Sequence, residues 1–256
     1  MFRIWLTVTY ETYLRLLRDR FFVPGIISGA LMAGFATIAS TWGVEEYDKI
    51  LTDICLVSFH LTGVFIAIIW GTKTVSDTQA EGSIEVQLAS PISRPIWLLG
   101  KFSGITIILT ILASIYMIIL QGILFFHSYG LLRTDVFISL LFVFLLWLII
   151  ASMTIFFASI ASAPIALFSS SCLWLIGLLS QPLYQTISSN ATSWAKASVE
   201  VLASIWNLHL FNFSSFIMTS SFPSPTVLFY RLSLGIIYVV FFLSASCLLN
   251  HRKDIK

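Results

Sequence analysis

The chain has 256 residues, a formal net charge of +2, 58% apolar residues and only 10% charged ones, with a mean hydropathy of +0.94. That balance is too oily for a soluble core and belongs to a multi-span membrane protein. The basic residues sit at the ends of apolar runs and form no stripe, which excludes nucleic acid as a partner.

Residues 3–20 place Arg3, Thr7, Glu11, Arg15 and Arg18 along one helical stripe, with Ile4, Trp5, Val8, Leu14 and Leu17 largely elsewhere. The pattern predicts an amphipathic interfacial helix. Its arginines suit an anionic leaflet, and Trp5 and Tyr13 suit the headgroup layer. The first strongly apolar run follows Arg20 and carries no small-residue cleavage site after a short core, so it reads as a retained anchor. It forms a span at about residues 24–42, opened by Pro24. Gly25, Gly29 and Ala33 recur there every fourth residue, with Ala30 and Gly34 beside them, offering a bare face to a neighbouring span or to a second copy.

Glu45, Glu46, Asp48 and Asp53 against Lys49 read as an outer loop, and a second span follows at about 54–72. His60 lies within it, near Ser58 and Thr62. An ionisable group in a span is a functional candidate, although a neutral imidazole bonded to a neighbouring hydroxyl or carbonyl also fits. Residues 74–101, TVSDTQAEGSIEVQLASPISRPIWLLGK, then form the one long polar interruption in the first two-thirds of the chain. A third span is expected at about 102–126, a fourth at 136–160 and, after a break at Pro164, a fifth at 165–181. Residues 182–225 contain an apolar piece broken by Asn207, His209 and Asn212, too polar for a comfortable span and too apolar for a free loop. They read as external re-entrant or interfacial helices before a sixth span at about 226–249.

Ten Lys and Arg residues, among them Arg94 and Lys101, fall on one side of these spans. Four, Lys49, Arg133, Lys196 and Arg231, fall on the other. The positive-inside rule then puts both termini and residues 74–101 in the cytoplasm.

Catalytic signatures are missing from the sequence. It has no His-Glu-x-x-His helix, no Gly-x-Ser-x-Gly elbow, no aspartate pair within a span and no phosphate-binding glycine loop with a lysine. Cys55, Cys172 and Cys247 lie in separate apolar runs without the spacing of a zinc site. The chain therefore reads as a non-enzyme with no catalytic, cofactor or metal residues of its own. An ion-coupled carrier needs carboxylates within its spans, which these spans lack, so the energy source is expected outside this chain.

Residues 81–104, EGSIEVQLASPISRPIWLLGKFSG, resemble the hallmark of type-2 ABC transporter permeases: an acidic-Gly-Ser-apolar-Glu run, a Pro-x-Ser-Arg turn and a Leu-Leu-Gly-Lys lead into the third span. The close of the chain, from NLHLFNFSSF to LLNHRKDI, is similar to the same family's end. The resemblance implies an all-α polytopic membrane protein with an N-terminal interfacial amphipathic helix, six transmembrane helices and short external helices between spans five and six. It implies a homodimeric subunit of an exporter in the bacterial inner membrane, seated on a separate ABC ATP-binding subunit that holds ATP and Mg. In that family the loop between spans two and three forms the coupling helix. Asp77, Gln79, Glu81, Gly82, Ser83, Ile84 and Glu85 would be its contact group here.

By the same resemblance the first, second and fifth spans line the translocation path, offering Gly29, Ala33, Thr37, Phe59, His60, Phe65, Ser170, Ser171 and Trp174. Such an apolar surface with hydroxyls suits a lipid-like or amphipathic cargo. The expected partners are the ATPase, a second copy, membrane lipids and an accessory periplasmic or membrane protein. A more distant resemblance to the haem-handling permease of cytochrome c maturation, through Gly-Ser-Ile-Glu, leaves the alternative of a membrane scaffold in an ABC-like complex that translocates no solute.

Overall fold

The computed structural model of the chain describes residues 2–41, 47–80, 94–126, 134–187, 193–212 and 223–252. All regular structure among the described residues is helical: α1 (Phe2–Leu17), α2 (Phe22–Ser40), α3 (Tyr47–Ala80), α4 (Arg94–Phe126), α5 (Thr134–Ile160), α6 (Ala163–Ile187), α7 (Ser193–Ile205), a 3-10 turn (Leu208–Phe211) and α8 (Pro225–Arg252). Six of these helices, α2 to α6 and α8, are long and apolar enough to cross a membrane. The protein is an all-α polytopic membrane protein.

Helix α5 is the spine. After Asp135 it carries no charge, and a helix that is apolar all round belongs inside other helices. Its residues are buried almost continuously from Leu145 to Ile155, with α3, α4, α6 and α8 packed around it. Lipid is as apolar as leucine, so oil alone does not bring these helices together. Close contact does.

That contact is built from aromatic rings received by glycine notches. A Cβ on Gly63 of α3 would stand 1.9 Å from the indole of Trp147 on α5, and one on Gly29 of α2 would stand 2.4 Å from the ring of Tyr116 on α4. Tyr116 also stacks on Phe59 of α3 at 4.3 Å and meets Trp147 edge-on at 6.0 Å. Its hydroxyl donates to the Gly25 carbonyl at 2.8 Å. Four helices therefore meet at one phenol ring. The buried edge of α2, Gly25, Gly29, Ala33, Ala36 and Ser40, faces α3 and α4 of the same chain, with Gly25 against Ile66. The small-residue stripe is thus used by neighbouring spans. Ala30 lies exposed on the outer side of α2, and Gly34 has open space where a side chain would stand.

Most hydroxyls within the spans donate back to their own helix, as Thr72 does to Ile68 and Thr154 to Ile150, both four residues back. They satisfy themselves and add no cross-helix polarity. Ser246 of α8 is an exception, donating to the Ser159 hydroxyl of α5 at 3.2 Å.

The helix ends differ from the sequence expectation in four places. Helix α3 begins at Tyr47, inside the segment expected as an outer loop. Helix α3 runs on to Ala80 and α4 begins at Arg94, so the segment expected as a loop over 74–101 is helical at both ends. Pro95 sits in the first turn of α4, where its missing N–H costs nothing. Helix α6 continues through Pro182 to Ile187, and Thr186 donates its hydroxyl to the Pro182 carbonyl at 2.9 Å. Helices at membrane depth absorb a proline because neighbours and hydroxyls satisfy the backbone around it.

Replacing Gly63 with Val forces Trp147 out of its notch. Overpacking of this kind costs about 1–3 kcal/mol, so the variant is expected to melt about 2–10 °C lower in detergent. An unchanged melting temperature would contradict this packing.

Candidate functional site

The start of α4, which follows residues 81–93, is held by α1. The charged stripe of α1, Arg3, Thr7, Glu11, Arg15 and Arg18, is exposed, and its opposite face buries Val8, Thr9, Thr12 and Leu16. That buried face lies on α4, where a Cβ on Gly100 would stand 2.8 Å from Val8 and one on Gly104 would stand 2.6 Å from Thr12. Only glycine lets the two backbones come this close. Lys101, in the same turn, is buried with its ammonium 5.5 Å above the Trp97 ring.

Just past α1, Asp19 ties the assembly to α3. One carboxylate oxygen accepts from Lys73 at 2.7 Å and the other accepts from the Phe21 backbone N–H at 3.0 Å. Lys73 also lies 5.1 Å above the Phe21 ring. The segment 81–93 therefore leaves from a base in which α1, α3 and α4 are fastened together. Of the expected coupling residues, Asp77 and Gln79 fall on the last turn of α3. Glu81, Gly82, Ser83, Ile84 and Glu85 lie outside the described residues.

The expected path residues separate into two groups. Gly29 and Phe59 are committed to Tyr116 as described above, and Ala33 is buried with them on the inner edge of α2. Thr37, half-buried on α2, donates to its own helix at the Gly34 carbonyl. His60 and Phe65 meet Trp174 of α6, with ring centroids 6.1 Å apart in each pair. Ser170, one turn before Trp174, is fully buried with its hydroxyl unpartnered, and Ser171 donates to the Leu167 carbonyl at 2.8 Å.

His60 differs from the expectation of a bonded imidazole. Ser58 and Thr62 donate to the Ile54 and Ser58 carbonyls of their own helix, and the buried Nε2 of His60 has no partner. It lines a cavity of about 120 Å³ between α3, α5, α6 and the 3-10 turn.

The cavity is roofed by residues 205–212, which four side chains pin in place. Trp206 donates its indole N–H to the Leu173 carbonyl at 2.8 Å, and Asn207 donates to the Gln181 side chain at 2.9 Å. From α8, Arg231 donates to the Leu210 carbonyl at 2.8 Å and Tyr238 donates to the Ile205 carbonyl at 2.7 Å. Leu208 and Trp206 sit against Gly177, well inside α6, so the segment turns back between α6 and α8. Sequence reading singled out its Asn207, His209 and Asn212 as interruptions but did not find these pins, which depend on residues about 20 to 35 positions away.

Among the described residues no group of three His, Cys, Asp or Glu side chains could hold a metal ion. Residues 26–176, from α2 into α6, match the sequence model of a family described as ABC-2 family transporter protein. A search of curated protein sequences finds no significant match.

Burial, and secondarily the Arg231 charge, hold the His209 pKa below its ordinary value of 6.5. A histidine whose folded pKa is depressed costs stability as pH falls, because the unfolded chain binds the proton first. The roof is therefore expected to loosen as pH drops below about 6.5, read as faster hydrogen exchange at Trp206 to Phe211, and His209→Gln removes that dependence. A roof equally protected at acid pH in the native chain would contradict the assignment.

Proposed function

The chain belongs to the ABC-2 transporter family, and from that premise we propose that it is the homodimeric membrane half of an ATP-driven exporter whose segment 74–101 docks, through Asp77 to Glu85, on a separate ATP-binding subunit. As a member of that family it is an integral membrane protein and the permease component of an ABC transporter. Export, dimerisation and the nature of the cargo are the further steps taken here.

The observation that carries the reading is the fastened base beneath residues 81–93. A docking loop transmits force only if its root is stiff. Here the root combines a 34-residue helix, α3, and a 33-residue helix, α4, with α1 packed on α4 through the Gly100 and Gly104 contacts and the Asp19–Lys73 pair tying the segment after α1 to α3. When ATP draws two nucleotide-binding subunits together, loops seated in them would move as rigid levers. Through the Tyr116 junction, α3 and α4 would carry that motion to α2 and α5.

Both termini and the loop would then face the cytoplasm of a bacterial inner membrane, with ATP and Mg on the partner. The outer face of α2, with Leu31 at 69% exposure, and that of α6, with Phe168 at 72%, would pack a second copy. Between the copies, α2, α3 and α6 would line a path whose apolar walls and hydroxyls fit a lipid-like or amphipathic cargo. An accessory periplasmic or membrane protein is compatible with this arrangement.

Reversing the charge of Glu81 and Glu85 to lysine is expected to abolish ATP-dependent transport while the permease keeps its melting temperature. Unchanged transport by that variant would remove the coupling assignment. A permease that binds its ATPase and supports ATP turnover yet moves no amphiphile in liposomes would leave the scaffold alternative standing.

A further inference from the structure

Resting on the exporter reading and naming what its path would bind, we propose that the cavity under residues 208–212 is a subsite for the uncharged polar end of a single-chain amphiphile, hydrogen-bonded by His60, with the chain leaving past Val57 and Leu61. The cavity holds about 120 Å³, room for about four waters at ~30 Å³ each or for a head of a few heavy atoms.

His60 is the lining group with capacity to spare. The neighbouring hydroxyls of Ser58, Thr62 and Ser139 are committed to carbonyls of their own helices, whereas the Nε2 of His60 is buried without a partner. A buried polar atom left in this state is disfavoured unless an occupant bonds it. An imidazole offers a donor on one ring nitrogen and an acceptor on the other when neutral, so hydroxyl, carbonyl or amide ends are all recognised. The charged classes are not. Among the described residues no Lys, Arg, Asp or Glu lines the cavity, and an unpaired phosphate or ammonium brought to membrane depth carries a heavy desolvation cost.

The mouth fits an apolar chain. Val57 at 47% exposure, Leu61 at 37% and Phe65 at 55% follow one another at four-residue steps on one face of α3. They form a track about 12 Å long at 1.5 Å per residue. The track begins at the cavity and ends where Phe65 meets Trp174 edge-on. Its roof is the pinned turn that carries Leu208 and Asn212.

The test uses the full chain purified in detergent with its ATPase, and two probes with the same dibrominated stearoyl chain: a monoacylglycerol and its phosphate-headed counterpart, a lysophosphatidic acid. Bromine quenches tryptophan fluorescence, and Trp174 stands beside His60. Saturable quenching by the neutral probe is expected at about tenfold lower concentration than by the anionic one. His60→Leu is expected to weaken neutral-probe binding about tenfold, with His60→Gln restoring most of it. Leu61→Phe, which adds bulk at the cavity rim without adding a tryptophan, is expected to narrow the mouth and weaken neutral-probe binding. Equal binding by wild type and His60→Leu, or no saturable quenching by either probe, would overturn the subsite and leave a cavity that holds water alone. Pairing with the ATPase is scored on the same sample. Lost pairing with intact probe binding counts against the exporter reading only, and intact pairing without binding counts against the subsite only.

Discussion

The seating of Tyr116 is the contact on which the rest of the structure depends. Inside a bilayer a leucine gains nothing by exchanging lipid for another leucine, so helices stay together through shape and the few polar bonds that shape permits. Tyr116 supplies both. Its ring enters the space that Gly29 leaves on α2, lies flat on Phe59 of α3 and stands against Trp147 of α5. Its hydroxyl, which would otherwise be stranded at membrane depth, closes on the Gly25 carbonyl. Trp147 repeats the device one layer away in the notch of Gly63. Because the four helices share one junction, displacement of any of them is felt by the other three.

From that junction close packing continues in both directions. Toward residues 81–93, glycine-mediated contact between α1 and α4 and the Asp19–Lys73 pair continue it to the helix ends. At the opposite end, residues 205–212 are held by single hydrogen bonds from Trp206, Asn207, Arg231 and Tyr238. Trp206, Leu208 and Phe211 are buried there, in glycine notches at Gly177 and Gly235 and against the rings of Tyr238 and Phe242, so this segment is fitted by packing as well as by hydrogen bonds.

The architecture was legible in the sequence because bilayer crossing demands long apolar runs, and six were present. Small residues every fourth position on the first span, the charged stripe of α1 and the break at Pro164 were readable for similar reasons of period and punctuation. What escaped reading was tertiary. The continuation of α3 to Ala80 has no apolar period to announce it, and Pro182 looks like a stop although α6 runs past it to Ile187. Tyr116 and Trp147 resemble any other aromatic residue in an apolar run until the glycines they enter are known. His60 was expected to find a nearby hydroxyl or carbonyl, but Ser58 and Thr62 spend their hydroxyls on their own helix and Nε2 finds no partner, a choice that spacing does not reveal. The path residues drawn from resemblance were read as one set. Gly29 and Phe59 are structural members of the Tyr116 junction, and His60, Phe65 and Trp174 gather at α6.

The central claim is that this permease works as a pair driven by an ATPase on another chain. Native mass spectrometry of the chain extracted from its own membranes in mild detergent tests it most directly. The account predicts a complex of two copies of this chain with two copies of an ABC ATP-binding subunit. A single chain, or an oligomer that carries no ATPase, would contradict it.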